Sequence, residues 1–292
     1  LHAEIVGSGD GGSDILKTRR LAQVFRGKRS RLLGPSTRVN FRSMTAIETE
    51  RATADAAANG AAVKRVYVKQ MFSDIAPYYD RVNRIISFRL DQWWRAKAIG
   101  ELNIPREPAA TYLDLCAGTL DIASQIAGRR DFRGSVVAAD FAEPMLRAGL
   151  AKVPRDVVRP VTADALDLPF TDGFAAGAIV VFGIRNVVDL DAALREVHRV
   201  LRPGARFVIL EFGATQNPLV GWIYRLYFNH LCPLIGNAVA RHHSAYNYLP
   251  KSVAHFPTET DLARHMREAG FDAVRWRSYT FGVVAIHVGE KH

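Results

Sequence analysis

The feature that most constrains the fold is a regular alternation of short apolar segments with longer amphipathic segments from residue 111 onward. Short apolar runs predict strands that are buried on both faces, and the amphipathic segments predict helices. The predicted strands span 111–115, 135–139, 157–161, 176–182 and 205–211, and the predicted helices span 120–127, 144–152 and 190–201. Because helices that join parallel strands form right-handed crossovers, the alternation predicts an α/β fold with a doubly wound, mostly parallel sheet.

The C-terminal part of the chain departs from this alternation. A helix predicted at 258–269 and ended by Gly270 is followed by two strands, 271–278 and 283–288. Strands joined by so short a connection form an antiparallel hairpin, so one of them runs against the rest of the sheet. Sheets that bind nicotinamide cofactors usually finish parallel, whereas those of S-adenosylmethionine-dependent methyltransferases finish with a hairpin of this kind.

A loop for a ligand is predicted within residues 111–123, Thr-Tyr-Leu-Asp-Leu-Cys-Ala-Gly-Thr-Leu-Asp-Ile-Ala. Gly118 and Thr119 allow the backbone to approach a ligand without obstruction by large side chains. A carboxylate inside an apolar strand is costly to bury, so Asp114 is expected to accept hydrogen bonds from loop amides or from a cationic ligand end. Alternatively, Asp114 has only a structural role and holds the turn in place. Nicotinamide, flavin and adenosyl cofactors all use such loops.

Polar residues follow three further predicted strands, where an open parallel sheet binds its ligands. Asp140 ends the second strand, 22 residues after Gly118, and is suited to accept both ribose hydroxyls of an adenosine-containing cofactor. Asp164, which precedes Ala165, is suited to accept the adenine amine, with a solvated loop aspartate as the alternative. Gly183-Ile-Arg-Asn186 follows the fourth strand.

Composition bounds the remaining possibilities. The chain has 292 residues and a net charge of +10, but residues 1–43 hold nine Lys and Arg against three acidic residues, so the remainder is only weakly basic. We therefore predict no nucleic-acid partner. The two cysteines, Cys116 and Cys232, have no partner spacing typical of zinc ligands or of a disulfide framework. No apolar run has the roughly 20 residues that a spanning helix needs.

Two segments are set apart from the predicted sheet. Residues 1–62 are predicted to be a disordered or non-native N-terminal extension, either translated from upstream of the true start or serving as a transit peptide. Residues 63–292 form the predicted domain, which begins with amphipathic helices interrupted at Pro77. Within it, residues 217–250 are apolar and aromatic. They predict a helical cover that lies over an apolar substrate, and this cover is expected to touch the membrane interface. Internal packing is the alternative.

Several motifs together resemble one family, the ubiquinone/menaquinone biosynthesis C-methyltransferases. They cover about residues 63–291, and the most specific are Phe182-Gly-Ile-Arg-Asn186 and Tyr246-Asn-Tyr-Leu249. Other matching motifs are Met71-Phe-Ser-Asp-Ile-Ala-Pro-Tyr-Tyr-Asp-Arg-Val-Asn83, Trp94-Arg95, Leu113-Asp-Leu-Cys-Ala-Gly-Thr119, Arg199-Val-Leu-Arg-Pro-Gly204, Leu210-Glu-Phe212, Ala269-Gly-Phe271 and Ala285-Ile-His287.

The resemblance implies the fold of class I S-adenosylmethionine-dependent methyltransferases and methyl transfer to a ring carbon of a polyprenylated hydroquinone. Demethylmenaquinol is the expected substrate, and the equivalent step of the ubiquinone pathway is the alternative. The implied cofactor contacts are Asp114, Gly118, Thr119, Asp140, Asp164, Ala165 and Val181. Arg185 is expected to stabilise the phenolate, while Asn186 and Tyr79 hold a water that relays the proton. Of the conventional bases, only His287 falls in a matching motif.

The chain departs from the family pattern at a few positions. Ala117, Leu120 and Arg89 stand where glycines are expected, and Val181 where a small polar residue is frequent. The branched Leu120 is expected to crowd the methionine end of the cofactor. A non-catalytic relative that binds a quinone or a partner therefore stays open, as does a nicotinamide-dependent oxidoreductase.

The resemblance also sets expectations about partners and location. The substrate is a polyprenyl hydroquinone, so we expect transient contact with a membrane surface, and a homodimer or a quinone-biosynthesis complex. The expected location is cytoplasmic and peripheral to the membrane. The alternative location is the matrix face of the inner mitochondrial membrane.

Overall fold

A seven-stranded sheet organises the part of the chain that the computed structural model describes, residues 64–213 and 245–292. These residues belong to one compact unit, Ala46–His292. The strands are β1 (Thr111–Leu115), β2 (Ser135–Asp140), β3 (Val158–Thr162), β4 (Ala175–Val181), β5 (Leu201–Phe212), β6 (Asp272–Tyr279) and β7 (Val284–Glu290). Their order across the sheet is β3-β2-β1-β4-β5-β7-β6.

The directions of the strands confirm the predicted architecture. β1 to β5 pair in parallel, with Asp114 opposite Ala138 of β2 and Ile179 of β4. β7 runs antiparallel to both β5 and β6, so it is the reversed strand of the C-terminal hairpin. The strand order changes direction between β1 and β4, which opens a crevice at their carboxyl ends.

Helices alternate with the strands, and three more precede the sheet. They are α1 (Lys64–Ile75), α2 (Tyr79–Ile86), α3 (Leu90–Glu101), α4 (Asp121–Ala127), α5 (Glu143–Gly149), α6 (Leu190–Val200), α7 (Ala245–Ala254) and α8 (Glu259–Glu268). Short 3-10 turns span Ile104–Arg106, Leu150–Lys152, Ile184–Asn186 and Thr280–Gly282. The predicted interruption at Pro77 falls between α1 and α2.

One predicted boundary is wrong. The strand predicted to begin at residue 205 begins at Leu201, directly after α6 ends at Val200. Leu201 pairs with Ala175, and the register then shifts before Arg206 pairs with Gly177. The irregular part of β5 contains Pro203 and Gly204. Gly204 fits there because it adopts a φ of 79° and donates its amide hydrogen to the carbonyl of Lys291.

The core lies on both faces of the sheet. Successive residues of β1 alternate between the faces, so Tyr112 packs into one apolar cluster while Leu113 and Leu115 pack into the other. Residues of α3, α4 and α5 cover the first face, and residues of α6 and α8 cover the second. A third cluster joins α1 and α2 to α7 through Val68, Met71, Ile75, Val82 and Tyr248.

The predicted extension 1–62 and residues 217–244 of the predicted cover lie outside the described residues. Among the described helices, none is long and apolar enough to cross a membrane.

Candidate active site

A cavity opens at the carboxyl ends of the central strands, where the crevice was expected. Its walls include Leu115, Cys116, Gly118, Asp140, Asp164, Val181 and Asn186, together with Phe72 of α1 and Tyr79 of α2. Ala165 also lines this cavity. The structure therefore brings together seven of the predicted cofactor and catalytic positions from six separate segments of the chain: Tyr79, Gly118, Asp140, Asp164, Ala165, Val181 and Asn186.

The loop after β1 has the backbone form that a close ligand requires. Gly118 adopts a φ of 53°, and a Cβ added there would contact Met145 Cε at 3.4 Å. The backbone N–H of Gly118 donates a hydrogen bond to Asp140 Oδ2, with 2.8 Å between the nitrogen and the oxygen. Cys116, at the end of β1, also has a positive φ, of 51°, which is a strained conformation for a residue with a side chain. The loop is thus tightly folded and tied to β2.

Leu120 lies in the core and does not crowd the cavity. It adopts a φ of 65°, which explains why glycine is expected at this position. The left-handed backbone turns its side chain away from the cavity and into the core cluster, where it is fully buried. Gly149 makes room for it, since a Cβ there would lie 2.8 Å from Leu120 Cγ. The expectation that Leu120 crowds the methionine end of the cofactor is therefore corrected.

Asp140 is held by the backbone on both of its oxygens. Oδ2 accepts the Gly118 amide hydrogen and Oδ1 accepts that of Ala142, each at 2.8 Å. Burial raises the pKa of this carboxyl, while the two amide hydrogen bonds act in the opposite direction. Each oxygen retains a second acceptor position, so the carboxylate can still receive ribose hydroxyls.

Asp164 pairs with a cation that the sequence did not reveal. Arg65 of α1 reaches Asp164 Oδ2 at 2.5 Å, and Asp164 Oδ1 accepts the amide hydrogen of Leu166. The neighbouring Lys64 donates hydrogen bonds to the carbonyls of Arg185 and Val187 at 3.1 and 2.8 Å. The first residues of α1 therefore bridge the mouth of the cavity.

Two of the predicted cofactor residues do not line the cavity. Asp114 is buried, and its Oδ2 accepts the amide hydrogen of Ala123 at 3.1 Å. Burial raises the pKa of Asp114 to about 8, so the carboxyl is largely protonated at neutral pH. Thr119 donates a hydrogen bond to Asp80 at 2.5 Å, and Asp80 also pairs with Lys152. Both side chains shape the loop instead of facing its ligand.

Two of the three predicted catalytic residues line the cavity, and the third, Arg185, is not among its lining residues. Tyr79 and Asn186 line it. Arg185 is buried, and its Nη1 donates hydrogen bonds to Glu211 Oε2 at 2.8 Å, to Oε1 at 3.1 Å and to the Phe182 carbonyl at 2.6 Å. Glu211 ends the buried part of β5, and its role was missed because only the strand pairing brings it next to Arg185.

Two of these three residues carry unpartnered polar atoms. Within the described residues, Arg185 Nε and Asn186 Oδ1 are buried and have no hydrogen-bond partner. Buried polar atoms in proteins are nearly always paired, so each such exception needs a ligand, a water or a functional reason. Burial also raises the pKa of the Tyr79 hydroxyl, against the opposing effects of Arg95 and Arg185. Buried polar groups are therefore concentrated near Asn186, which lines the cavity.

No described histidine provides a base at the cavity. His287 lies on β7, where its Nε2 is 2.9 Å from the Glu259 carbonyl and its ring stacks on Trp276. Burial lowers the pKa of His287 to about 4, so the ring is neutral. His255 is exposed at the end of α7. His230, His242 and His243 lie outside the described residues.

Comparison with known sequences gives consistent matches. Residues 60–291 match the ubiE/COQ5 methyltransferase family. A demethylmenaquinone methyltransferase of Thermus thermophilus is 44% identical over 76% of this chain and 100% of its own length. One of Mycolicibacterium vanbaalenii is 40% identical over 77% and 94%. A ubiquinone/menaquinone biosynthesis C-methyltransferase UbiE of Geotalea daltonii is 36% identical over 77% and 96%.

Solved structures match in fold. A methyltransferase of Thermotoga maritima has a TM-score of 0.53 at 17% identity, over 76% of this chain and 100% of that one. A putative methyltransferase in complex with the Haloferax volcanii Trm112 activator has a TM-score of 0.56 at 17% identity, over 76% and 98%. At this identity the likeness concerns the fold alone, which is that of class I S-adenosylmethionine-dependent methyltransferases.

Proposed function

Because this chain belongs to the ubiE/COQ5 methyltransferase family, we propose that it methylates a ring carbon of a polyprenylated hydroquinone, with S-adenosylmethionine as the methyl donor. Demethylmenaquinol is the proposed substrate, since most of the similar relatives carry the name demethylmenaquinone methyltransferase. The equivalent step of the ubiquinone pathway is the second candidate, and the similarity to UbiE supports it.

The cofactor fits the residues that the cavity presents. We assign Asp140 to the ribose hydroxyls, Asp164 and Ala165 to the adenine, and Gly118 to the methionine part; all four residues line the cavity, which supports the assignment. Asp114 and Thr119 support the loop from behind. When bound, S-adenosylmethionine supplies a methyl group that is already activated for transfer. We call Gly118, Asp140 and Asp164 the cofactor side of the cavity.

The remaining task of the protein is to make the ring carbon nucleophilic. Loss of the phenolic proton places negative charge on the oxygen and, by delocalisation, on the adjacent ring carbon. Arg185 is suited to stabilise that oxygen, because Glu211 holds its Nη1 and leaves Nε without a partner. Arg is a poor base at neutral pH, so a water held by Asn186 and Tyr79 carries the proton away.

The rival activities have less support. A nicotinamide-dependent oxidoreductase would share the loop and Asp140, but the C-terminal hairpin and the family membership favour methyl transfer. A non-catalytic role was raised by Leu120, whose side chain packs in the core away from the cavity. We also propose transient contact with a membrane surface, because a long prenyl tail keeps the substrate in a bilayer.

The observation that carries the proposal is a cavity lined by the carboxylates Asp140 and Asp164 and by Tyr79 and Asn186, with the buried Arg185 guanidinium directly before Asn186 in the chain. Among the described residues, Arg185 Nε has no hydrogen-bond partner. Calorimetry should detect binding of S-adenosylmethionine and no binding of NAD. Methyl transfer should then be measured with reduced, short-tailed demethylmenaquinone and with the corresponding ubiquinone precursor. A higher kcat/KM for the ubiquinone precursor would transfer the proposal to that pathway, and NAD binding alone would refute it.

A further inference from the structure

The Tyr248 hydroxyl is a further buried polar atom without a partner among the described residues. Tyr248 of α7 is 2% exposed, and its hydroxyl has no hydrogen-bond partner among the described residues. Leaving a buried hydroxyl unpaired costs free energy that a phenylalanine at the same position would avoid. The hydroxyl therefore requires a reason other than packing.

The surroundings of Tyr248 connect it to the cavity. Helix α7 packs against the 3-10 turn Ile184–Asn186, which carries two of the other atoms that lack a partner among the described residues, Arg185 Nε and Asn186 Oδ1. The Tyr248 side chain belongs to the same apolar cluster as Phe72 and Tyr79, and both of these residues line the cavity. Its ring contacts that of Tyr67 with 5.7 Å between centroids.

The three unpartnered atoms are chemically complementary to a phenol. Arg185 Nε is a donor, Asn186 Oδ1 is an acceptor, and a tyrosine hydroxyl can act as either. Among the described residues, the hydrogen bonds of the Arg185 side chain leave from Nη1, toward Glu211 and Phe182, and Nε is a buried donor without a partner. A phenolic oxygen between these elements can accept from the donors.

Tyr248 stays protonated over the working range of an enzyme. Burial raises the pKa of its hydroxyl to about 12, although the nearby Arg185 guanidinium acts in the opposite direction. Tyr67 and Glu211 add smaller raising effects. A hydroxyl that keeps its proton at neutral pH can serve as a hydrogen-bond donor to an anion without competing for the proton.

We propose that the Tyr248 hydroxyl is a second donor to the substrate oxygen, beside Arg185 Nε, and that the two together stabilise the phenolate of the hydroquinone. The inference rests on the proposed function. In this step the phenolic O–H bond of the substrate breaks, the proton leaves through water, and the electron pair stays on the oxygen. Tyr248 keeps its own proton and donates a hydrogen bond that strengthens as the charge develops.

A matched pair of variants separates this role from packing. Tyr112 is equally buried, but its hydroxyl donates to the Glu107 carbonyl at 3.1 Å, away from the cavity. Tyr248→Phe should lower kcat roughly 10²-fold, with KM and cofactor affinity near wild type and an unchanged or higher Tm. Tyr112→Phe should lower Tm and leave kcat unchanged. A Tyr248→Phe enzyme with wild-type kcat would overturn the proposal.

A titration that needs no turnover provides a second test. A short-tailed nitrophenol absorbs differently as phenol and as phenolate, so its pKa can be followed when it is bound to the full chain. Wild type should lower that pKa, and Tyr248→Phe should lower it by less, whereas equal lowering would contradict the role of the hydroxyl. If wild type binds the nitrophenolate through Tyr248 but transfers no methyl group, the proposed function fails and the second donor stands. If wild type and Tyr248→Phe both methylate the hydroquinone at the same rate, the proposed function stands and the role of Tyr248 as a second donor fails.

Discussion

The two sides of the cavity differ in how their polar groups are satisfied. On the cofactor side, Asp140 accepts two backbone amide hydrogens and Asp164 pairs with Arg65, so both carboxylates are already held in place. Asn186, which lines the cavity, and the buried Arg185 and Tyr248 make up what we call the substrate side, and one polar atom of each is buried without a partner among the described residues. The cofactor side can therefore keep its shape alone, whereas the substrate side is complete only with a ligand.

This difference suggests how the two sides divide the work. Backbone amides fix the cofactor side, so single substitutions there should alter affinity more than the chemical step. The substrate side keeps donors in a dry environment, where they act most strongly on charge that develops during reaction. Substitutions there should reduce kcat while cofactor affinity stays the same. The following predictions test this division, from the largest expected effect to the smallest.

Arg185→Ala should have the largest effect. Losing one preorganised donor lowers kcat by roughly 10²–10³-fold. The variant also leaves Glu211 buried without its partner, which costs about 3–5 kcal/mol of stability. Combining Arg185→Met with Glu211→Leu should restore most of the stability, as measured by urea unfolding, but none of the activity. Recovery of activity in the double variant would show that the pair has only a structural role.

Leu120→Ala should reduce stability and leave cofactor affinity unchanged. Removing a fully buried leucine typically costs about 2–5 kcal/mol. Leu120→Gly removes the same side chain but relieves the left-handed backbone, so it should be more stable than Leu120→Ala by about 1 kcal/mol. Calorimetry with S-adenosylmethionine provides the control. Tighter binding of S-adenosylmethionine by Leu120→Gly would show that the leucine side chain does crowd the cofactor.

Asp140→Ala should weaken S-adenosylmethionine binding by about 1–3 kcal/mol through the loss of charge-assisted hydrogen bonds. At saturating cofactor its kcat should approach the wild-type value, in contrast to Arg185→Ala. Asp172→Ala is a matched control, because Asp172 is largely exposed and pairs with Arg199 far from the cavity lining. Unchanged affinity in the Asp140 variant would remove this residue from the cofactor side.

Asp114 should make the stability depend on pH. Its pKa is about 8 in the folded protein and near 3.8 when unfolded, so between these values the folded state binds the additional proton. Stability contributed by this group is therefore present at low pH and lost as pH rises from about 4 to 8, on the order of 1 kcal/mol per pH unit. Asp114→Asn should flatten this slope in urea unfolding at several pH values. An identical slope would show that Asp114 ionises normally.

The sequence predicted the sheet well because apolar runs and helical periodicity are local signals. The mostly parallel sheet followed from the spacing of those signals, and the presence of one reversed strand followed from the short final connection. The position of the cavity followed in turn, since the carboxyl ends of parallel strands meet at one edge.

Other features depend on contacts between distant residues and could not be predicted. Glu211 meets Arg185 only because β4 and β5 are neighbours, and Arg65 reaches Asp164 only because α1 lies over the mouth of the cavity. The direction of Leu120 depends on a left-handed backbone, which reverses the side chain relative to the expectation. The unpartnered hydroxyl of Tyr248 has no sequence signal beyond its place in a motif.

The central claim is that the substrate side stabilises a phenolate, and the redox state of the substrate tests it most directly. A quinone carbonyl withdraws electron density and has no phenolic proton to lose, so only the hydroquinone can give the required anion. Methyl transfer to a short-tailed demethylmenaquinone should be measured anaerobically, with and without a chemical reductant. The account predicts turnover only with the reductant. Equal turnover of the oxidised substrate, under conditions that exclude its reduction, would contradict it.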